Sequence, residues 1–191
     1  MPRLFTGIEI PPDIKARLSL LIAPMHGAKW VDAEDFHLTL RFLGDVEDRI
    51  VDEFLDLVAD TAVMPFRLTL NGLGCFGGRQ PRAIWAGIDP CPEIERLNQA
   101  HERAARAVGL EPDARVFKPH VTLARLKGTR PEAVAEFLGH HGAFKAGPID
   151  VTAVAVFSSR PKLGGGPYAV IEKLPLSGVH HPYEDEARHW D

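Results

Sequence analysis

Residues 37–44 read HLTLRFLG, and residues 120–128 read HVTLARLKG. In each stretch apolar and polar residues alternate up to a glycine, which is typical of a half-buried β-strand that ends at a turn. Two further stretches, which start at Phe5 and Trp85, also resemble each other. Each is an apolar run with an internal glycine, followed by a proline and an acidic start of helical spacing. The offsets, 83 and 80 positions, indicate an internal repeat of about 80 residues.

The order of patterns within the repeat predicts an α+β fold. Each half of the sequence contributes two amphipathic helices and three or four strands, with the later strands predicted at residues 66–73, 83–88, 149–157 and 168–174. We expect two pseudo-symmetric lobes that face each other, each an antiparallel sheet covered by two helices, with a central cleft. Residues 1–177 are predicted to form this single bilobal domain, and residues 178–191 a C-terminal tail without periodicity.

Composition excludes several classes of protein. The chain has 191 residues, 45% of them hydrophobic, which is enough for a core and excludes general disorder. Its net charge of −4 argues against nucleic-acid binding by bulk electrostatics. Cys75 and Cys91 cannot form a disulfide framework, and no segment has the pattern of a signal peptide or a membrane span. These features predict a cytoplasmic protein without membrane attachment, and we expect it to be a monomer.

The repeated His-x-Thr pattern marks the candidate site. Residues two apart on a strand point the same way, so His37 shares a face with Thr39, and His120 shares one with Thr122. Two such strands related by symmetry would bring two imidazoles and two hydroxyls into one cleft. The alternative is that both histidines satisfy buried backbone groups, but the matching positions in an independently recognised repeat argue against it.

The tetrads HLTL and HVTL resemble the motif that defines the 2H phosphoesterases. Over about residues 3–175, their flanking sequences resemble those of bacterial and archaeal RNA 2′,3′-cyclic phosphodiesterases, formerly called 2′-5′ RNA ligases. The resemblance implies a hydrolase that opens 2′,3′-cyclic phosphates on RNA ends or nucleotides to 2′-phosphates without metal or cofactor. It also implies that His37 is the proton donor, that His120 is the proton acceptor, and that Thr39 and Thr122 assist at the phosphate. Symmetry leaves the two histidine roles interchangeable from sequence alone.

Two other functions stay open at this point. One is the reverse chemistry, 2′-5′ ligation of RNA, which water at high concentration disfavours. The other is a non-catalytic nucleotide- or RNA-binding module, which would not need a paired acid and base.

Charged and aromatic residues extend the candidate site. The segment from Arg115 to Arg130 carries five basic residues and no acid, which makes the second half the expected phosphate side. Arg125 and Arg41 are candidate substrate-binding residues. On strict alternation Arg41 shares a face with His37, whereas Arg125 faces away from His120 unless the strand has a bulge. Candidate base-stacking aromatics are Phe5, Phe36, Phe76, Phe117 and Tyr168.

No metal site is predicted. The pairs at 140–141 and 180–181 are both His-His, but neither has a cysteine or acid at ligand spacing. The triplet Gly164 to Gly166 lacks the Lys-Ser or Lys-Thr of a P-loop and reads as a hairpin loop.

Overall fold

The computed structural model describes residues 3–159 and 168–177. The strands in these ranges are β1 (Arg3–Glu9), β2 (Ala28–Trp30), β3 (His37–Asp45), β4 (Phe66–Phe76), β5 (Ala83–Ile88), β6 (His120–Leu126), β7 (Lys145–Val151), β8 (Ala153–Ser158) and β9 (Ala169–Pro175). The α-helices are α1 (Pro12–Ser19), α2 (Asp48–Ala59), α3 (Pro92–Ala107) and α4 (Pro131–His141). A 3₁₀ turn, Ala33–Asp35, precedes β3. The predicted tail at 178–191, the glycine triplet at 164–166 and the pair His180-His181 lie outside the described residues.

Prolines and acidic residues set the helix starts. Proline occupies the first turn of α1, α3 and α4, where its missing N–H has no intrahelical partner to lose. Each of these first turns also carries an acidic residue, which the positive end of the helix dipole stabilises. The repeated Pro-acid signal in the sequence therefore locates α1 and α3 correctly.

The strands pair antiparallel in the order β7-β4-β5-β6-β3-β1-β8-β9, and β2 pairs with the end of β6. β3 and β6 meet at a single backbone pair, Leu38 with Val121, whereas the other neighbours form longer ladders. This narrow junction divides the sheet into lobe 1 (β3, β1, β8 and β9) and lobe 2 (β6, β5, β4, β7 and β2). The α+β prediction is confirmed.

Each lobe draws its elements from both halves of the sequence. In lobe 1, β1 and β3 of the first half pair with β8 of the second half, as in the pair Leu4 with Ser158. Helices α2 and α3 pack on this lobe, while α1 and α4 pack against β7 and β4 of lobe 2. The two copies of the repeat therefore do not form separate lobes, which corrects the expectation that the two halves of the sequence face each other.

The last crossover between lobes occurs at Thr152. The sequence predicted one strand over residues 149–157, but the structure has two, β7 paired with β4 and β8 paired with β1. Thr152 lies between them, where the chain passes from lobe 2 to lobe 1.

Two apolar cores lie behind the sheet, and the larger one also includes Ile8 of β1 and Leu38 of β3 in lobe 1. In lobe 1, helix α2 buries Val51, Phe54, Leu55 and Val58 on one face, against Leu4 of β1 and Ala105 of α3. The larger core lies under lobe 2, where Leu18 of α1 and Phe137 of α4 join the buried side chains of β4, β5 and β6. Each such buried side chain contributes about 1.5–3 kcal/mol. Both cores hold the back of the sheet and leave the tetrad side chains on the other face.

None of the helices in the described ranges has both the length and the apolar character needed to cross a bilayer.

Candidate active site

The junction between β3 and β6 brings the two tetrads together. Because the strands are antiparallel and Leu38 pairs with Val121, the flanking register places Thr122 beside His37 and His120 beside Thr39. Thr39 and His120 line one cavity of about 470 Å³. All four tetrad side chains are partly exposed, while the apolar residues between them are buried.

The two imidazoles are held in the same way. The Nδ1–H of His37 donates to the carbonyl oxygen of Asp35 at 2.7 Å, and that of His120 donates to the carbonyl oxygen of Lys118 at 2.6 Å. A carbonyl oxygen can only accept, so Nδ1 must carry the proton in each ring. In the neutral form, Nε2 is then the free base, and in the charged form Nε2–H is a donor. Each histidine can therefore take up or release a proton at Nε2.

Aromatic rings surround His37. Its ring centroid lies 4.7 Å from that of Phe5, 5.3 Å from that of Phe157 and 5.2 Å from that of Tyr168. Burial, together with the positive charges of Arg125, His120 and Lys15, lowers the pKa of His37 to about 4, while the hydrogen bond to the Asp35 carbonyl opposes this shift. Gly7 lets β1 approach β3 closely beside His37, since a Cβ there would lie 2.4 Å from the Leu38 carbonyl oxygen.

The surroundings of His120 are similar but more open. Phe76 meets its ring edge-on at 5.0 Å, and Trp85 lies at 6.2 Å. Burial lowers the pKa of His120, and the charges of Lys118 and Arg115 add to this, while the Lys118 carbonyl opposes it. Lys118 Nζ lies 4.3 Å from the Trp85 ring centroid, a cation–π contact beside the cavity. A bound anion would raise the pKa of both histidines towards the usual value for this side chain.

A β-bulge in β6 places Arg125 on the face of His120. The register against β5 shifts by one residue between Ile84 and Trp85, and Leu123 and Ala124 are consecutively buried. Arg125 is therefore exposed on the cleft side, as the bulged alternative requires. It contributes to the lowered pKa of His37 and has no ion pair with any residue in the described ranges.

A corresponding bulge in β3 turns Arg41 the other way. The register against β1 shifts so that Arg41 pairs with Thr6, and its guanidinium reaches helix α3, with Nε 2.7 Å from Glu102 Oε2. The guanidinium also donates to the carbonyl oxygens of Phe42 and Glu111. Because the bulge reverses the alternation, Arg41 does not share the face of His37 as expected, but it still lines the cavity that contains Thr39 and His120. Its part in substrate binding stays a prediction.

The predicted aromatics separate into two groups. Phe36 is 2% exposed and belongs to the core of lobe 2. Phe5 and Tyr168 contact His37, and Phe76 contacts His120 and lines the cavity together with Phe117. The sequence did not single out Phe42, Trp85 and Phe157 as residues of the site. For Phe42 a signal existed, since it occupies the position in the first copy that Arg125 occupies in the second.

Metal-ligating residues do not cluster in the described ranges: no group of three or more His, Cys, Asp or Glu side chains is placed to hold an ion. His140 Nδ1–H donates to the Glu136 carbonyl oxygen of its own helix.

Comparison with known proteins agrees with this arrangement. The model of the family described as LigT like Phosphoesterase matches residues 8–85 and 88–168, one tetrad in each stretch. An "RNA 2′,3′-cyclic phosphodiesterase" from Aeropyrum pernix is 35% identical over 134 residues, which cover 69% of this chain and 76% of that protein. A Thermus thermophilus protein of the same description is 30% identical over 93% of this chain and 92% of its own length.

Solved structures of this kind have the same fold. E. coli LigT in its apo form superposes with a TM-score of 0.73 at 26% identity, over 91% of this chain and 97% of LigT. E. coli LigT complexed with 3′-AMP gives a TM-score of 0.70 at 26% identity, over 93% and 99% of the two chains. Since the family model covers most of the chain and each of its two matched stretches contains one His-x-Thr tetrad, this protein belongs to the LigT-like phosphoesterase family.

Proposed function

We propose that this protein hydrolyses 2′,3′-cyclic phosphates at the ends of RNA, or on nucleotides, to 2′-phosphates, with His37 as proton donor and His120 as proton acceptor. We further propose that it acts as a cytoplasmic monomer. The observation that carries the proposed reaction is the matched pair of imidazoles, each held through Nδ1 by a backbone carbonyl and so able to exchange a proton at Nε2. The relatives named RNA 2′,3′-cyclic phosphodiesterase support the choice of substrate.

The proposed reaction needs one proton acceptor and one proton donor. Nε2 of His120 takes a proton from water as the water oxygen bonds to phosphorus. The bond from phosphorus to the ribose 3′ oxygen breaks, and Nε2–H of His37 gives that oxygen its proton. The products are a 2′-phosphomonoester and a free 3′-hydroxyl, and the next cycle begins when His37 regains a proton and His120 releases one.

The low pKa of His37 bears directly on its proposed role. With a pKa of about 4, His37 is neutral in the free protein at neutral pH, so the donor form must arise when the negatively charged phosphodiester binds. An opposite charge within a few ångströms of a titrating group favours its charged form. The order of pKa values in the free protein alone would favour the reverse assignment, and the family resemblance is what supports His37 as donor.

The remaining polar groups can stabilise charge on the phosphoryl oxygens. Thr39 and Thr122 lie on the same strands as the histidines, and no hydrogen bond within the described ranges engages either hydroxyl. Arg125 adds a positive charge on the cleft face of β6. Preorganised donors of this kind each contribute about 3–4 kcal/mol to transition-state stabilisation.

The decisive experiment supplies 2′,3′-cyclic AMP and an oligonucleotide that ends in a 2′,3′-cyclic phosphate. We expect hydrolysis of both, with an oligonucleotide product that resists an enzyme specific for 3′-phosphates. Release of phosphate by that enzyme would show that the ring opens at the 2′ oxygen instead of the 3′ oxygen. The proposed roles of the two histidines would then be exchanged. Absence of turnover with retained binding would indicate a binding module, and joining to an added 5′-hydroxyl oligonucleotide would indicate a ligase.

A further inference from the structure

A groove with an unusual charge lies outside the cleft, at the end of β6 that is remote from His120. It has a volume of about 510 Å³, and its walls carry Arg79, Arg82, Lys127 and Arg130 but no acidic residue. The loop between β4 and β5 contributes the first two side chains, and the turn between β6 and α4 the others. Backbone contacts join the two segments, since Leu126 N–H donates to the Arg82 carbonyl oxygen at 2.8 Å.

The positive charges of this groove are not balanced by the protein. None of its four basic side chains forms an ion pair with a residue in ranges 3–159 and 168–177. Five other arginines in these ranges, Arg41, Arg49, Arg67, Arg106 and Arg115, do form ion pairs. Four like charges in one groove repel each other, and the chain as a whole is acidic, with a net charge of −4. An anionic ligand would relieve that repulsion.

Strand β6 connects the groove with the cleft. Arg125 lies on the cleft face between His120 and Lys127, and β2 places Lys29 beside it in the register. At about 3.3 Å per residue, the seven residues from His120 to Lys127 span roughly 20 Å. A single nucleotide held between the histidines cannot bridge this distance, whereas an oligonucleotide can.

We propose that this basic groove binds backbone phosphates of single-stranded RNA, several nucleotides from the cyclic phosphate that lies between His37 and His120. The inference rests on the proposed function and adds a substrate preference to it: the groove favours RNA ends over cyclic mononucleotides. Phosphate contacts by Lys and Arg give affinity without sequence selectivity, and they weaken as salt increases.

The test compares two triple variants of equal charge change. The groove variant is Arg79→Ala, Arg82→Ala and Arg130→Ala. The control variant is Arg49→Ala, Arg96→Ala and Arg103→Ala, which removes exposed arginines from α2 and α3 of lobe 1. Circular dichroism and thermal melting establish that both variants are folded. Each protein is assayed with 2′,3′-cyclic AMP and with a 12-nucleotide RNA that ends in a cyclic phosphate. Binding of a fluorescent 12-nucleotide RNA is followed by anisotropy.

We expect the groove variant to bind the RNA roughly 10- to 50-fold more weakly than wild type at low salt, because three phosphate contacts are lost. The slope of the logarithm of the binding constant against the logarithm of the salt concentration should become smaller in magnitude by about 2. Each phosphate contact to a single strand contributes about 0.7 to this slope. The ratio of kcat/KM for the oligonucleotide to that for 2′,3′-cyclic AMP should fall at least tenfold, and the control variant should keep the wild-type ratio.

Equal RNA affinity of wild type and groove variant would overturn the inference, as would an equal loss in both triple variants. A different result would contradict the proposed function, namely that the wild-type protein hydrolyses neither substrate. The anisotropy measurement needs no turnover, so it decides about the groove in that case too.

Discussion

Thr6 Oγ1 and His101 Nδ1 lie 2.7 Å apart in the interior, between β1 and α3. His101 is 1% exposed, and Phe54 covers its ring edge-on at 5.8 Å. Burial lowers its pKa to about 4, so the folded protein holds this imidazole neutral. This hydrogen bond holds α3 against β1 at Thr6, and the residue before it, Phe5, contacts the His37 ring.

Stability should therefore fall in mild acid. The pKa of His101 is about 4 in the folded protein and near 6.5 in the unfolded chain, so the unfolded state takes up a proton first. Its contribution to stability is fully present above pH 6.5 and declines as the pH falls towards 4. Urea unfolding at pH 7 and pH 5 measures this change, and His101→Gln should show a smaller loss than wild type. The exposed His140→Gln serves as control. An unchanged pH dependence in His101→Gln would contradict the assignment.

Removal of either tetrad histidine should nearly abolish turnover. We expect His37→Ala and His120→Ala each to lower kcat by two to four orders of magnitude, the usual contribution of a general acid or base. Thr39→Ala and Thr122→Ala should each lower it about ten- to a thousandfold. Initial rates with 2′,3′-cyclic AMP measure these effects, with His140→Ala as the matched control. Near-normal rates in either histidine variant would exclude the two-histidine mechanism.

The pH dependence should differ between the free and the bound protein. The productive state has one charged and one neutral histidine, so it is populated between the two pKa values of the pair. The pKa of His37 is about 4 and that of His120 lies below its usual 6.5, which places the maximum of kcat/KM between about pH 4 and 6.5. The phosphate charge raises both values in the complex, so the maximum of kcat should lie at higher pH. Coincident maxima would show that the bound phosphate does not shift the pair.

Arg41 and Arg125 should respond in opposite ways to substitution by alanine. Arg41→Ala removes the buried guanidinium that pairs with Glu102 Oε2 and donates to the carbonyl oxygens of Phe42 and Glu111, while Arg106 still pairs with Glu102 Oε1. The free energy of unfolding should therefore fall by about 1–3 kcal/mol. Arg125→Ala removes an exposed side chain and should leave stability almost unchanged, but it should lower kcat/KM roughly 10- to 100-fold through a lost charged contact to the phosphate. Denaturant titrations and steady-state rates of the two variants measure both effects. A stability loss in Arg125→Ala equal to that in Arg41→Ala would remove the distinction.

Chelators should not affect turnover. The proposed chemistry uses imidazole and hydroxyl groups for every proton and charge, so no divalent ion has a step to perform. Rates after dialysis against EDTA should equal untreated rates within error. Activity that is lost in EDTA and returns with an added metal ion would refute this.

Much of the site follows from the repeat, but the bulges do not. The alternation in HLTL and HVTL predicts that each His lies on the same face of its strand as the following Thr. In the structure all four side chains are partly exposed, and the apolar residues between them are buried. Alternation fails one residue later, where Leu123 and Ala124 are both buried and Arg125 returns to the cleft face. The sequence contains a weak signal of the bulge: the apolar residues occupy odd positions at Val121 and Leu123 but even positions at Ala124 and Leu126. A pattern shift this short is ambiguous without the neighbouring strand.

The exchange of strands between lobes could not be read from the sequence either. The repeat specifies which elements exist and in what order, but not whether β1 pairs with β4 of its own half or with β8 of the other. That choice depends on long-range packing, such as the fit of α2 against α3, and local patterns carry no information about it.

The crossover at Thr152 also sets an order in time. Lobe 1 begins with β1 and β3, yet its remaining strands, β8 and β9, start only at residue 153, more than a hundred residues after β3 ends. At roughly 5–20 residues per second, the ribosome needs at least about 5–20 seconds to supply them. During this interval β1 has an open edge where β8 will later pair. The lobe that holds His37 is therefore the first to be started and the last to be closed during synthesis.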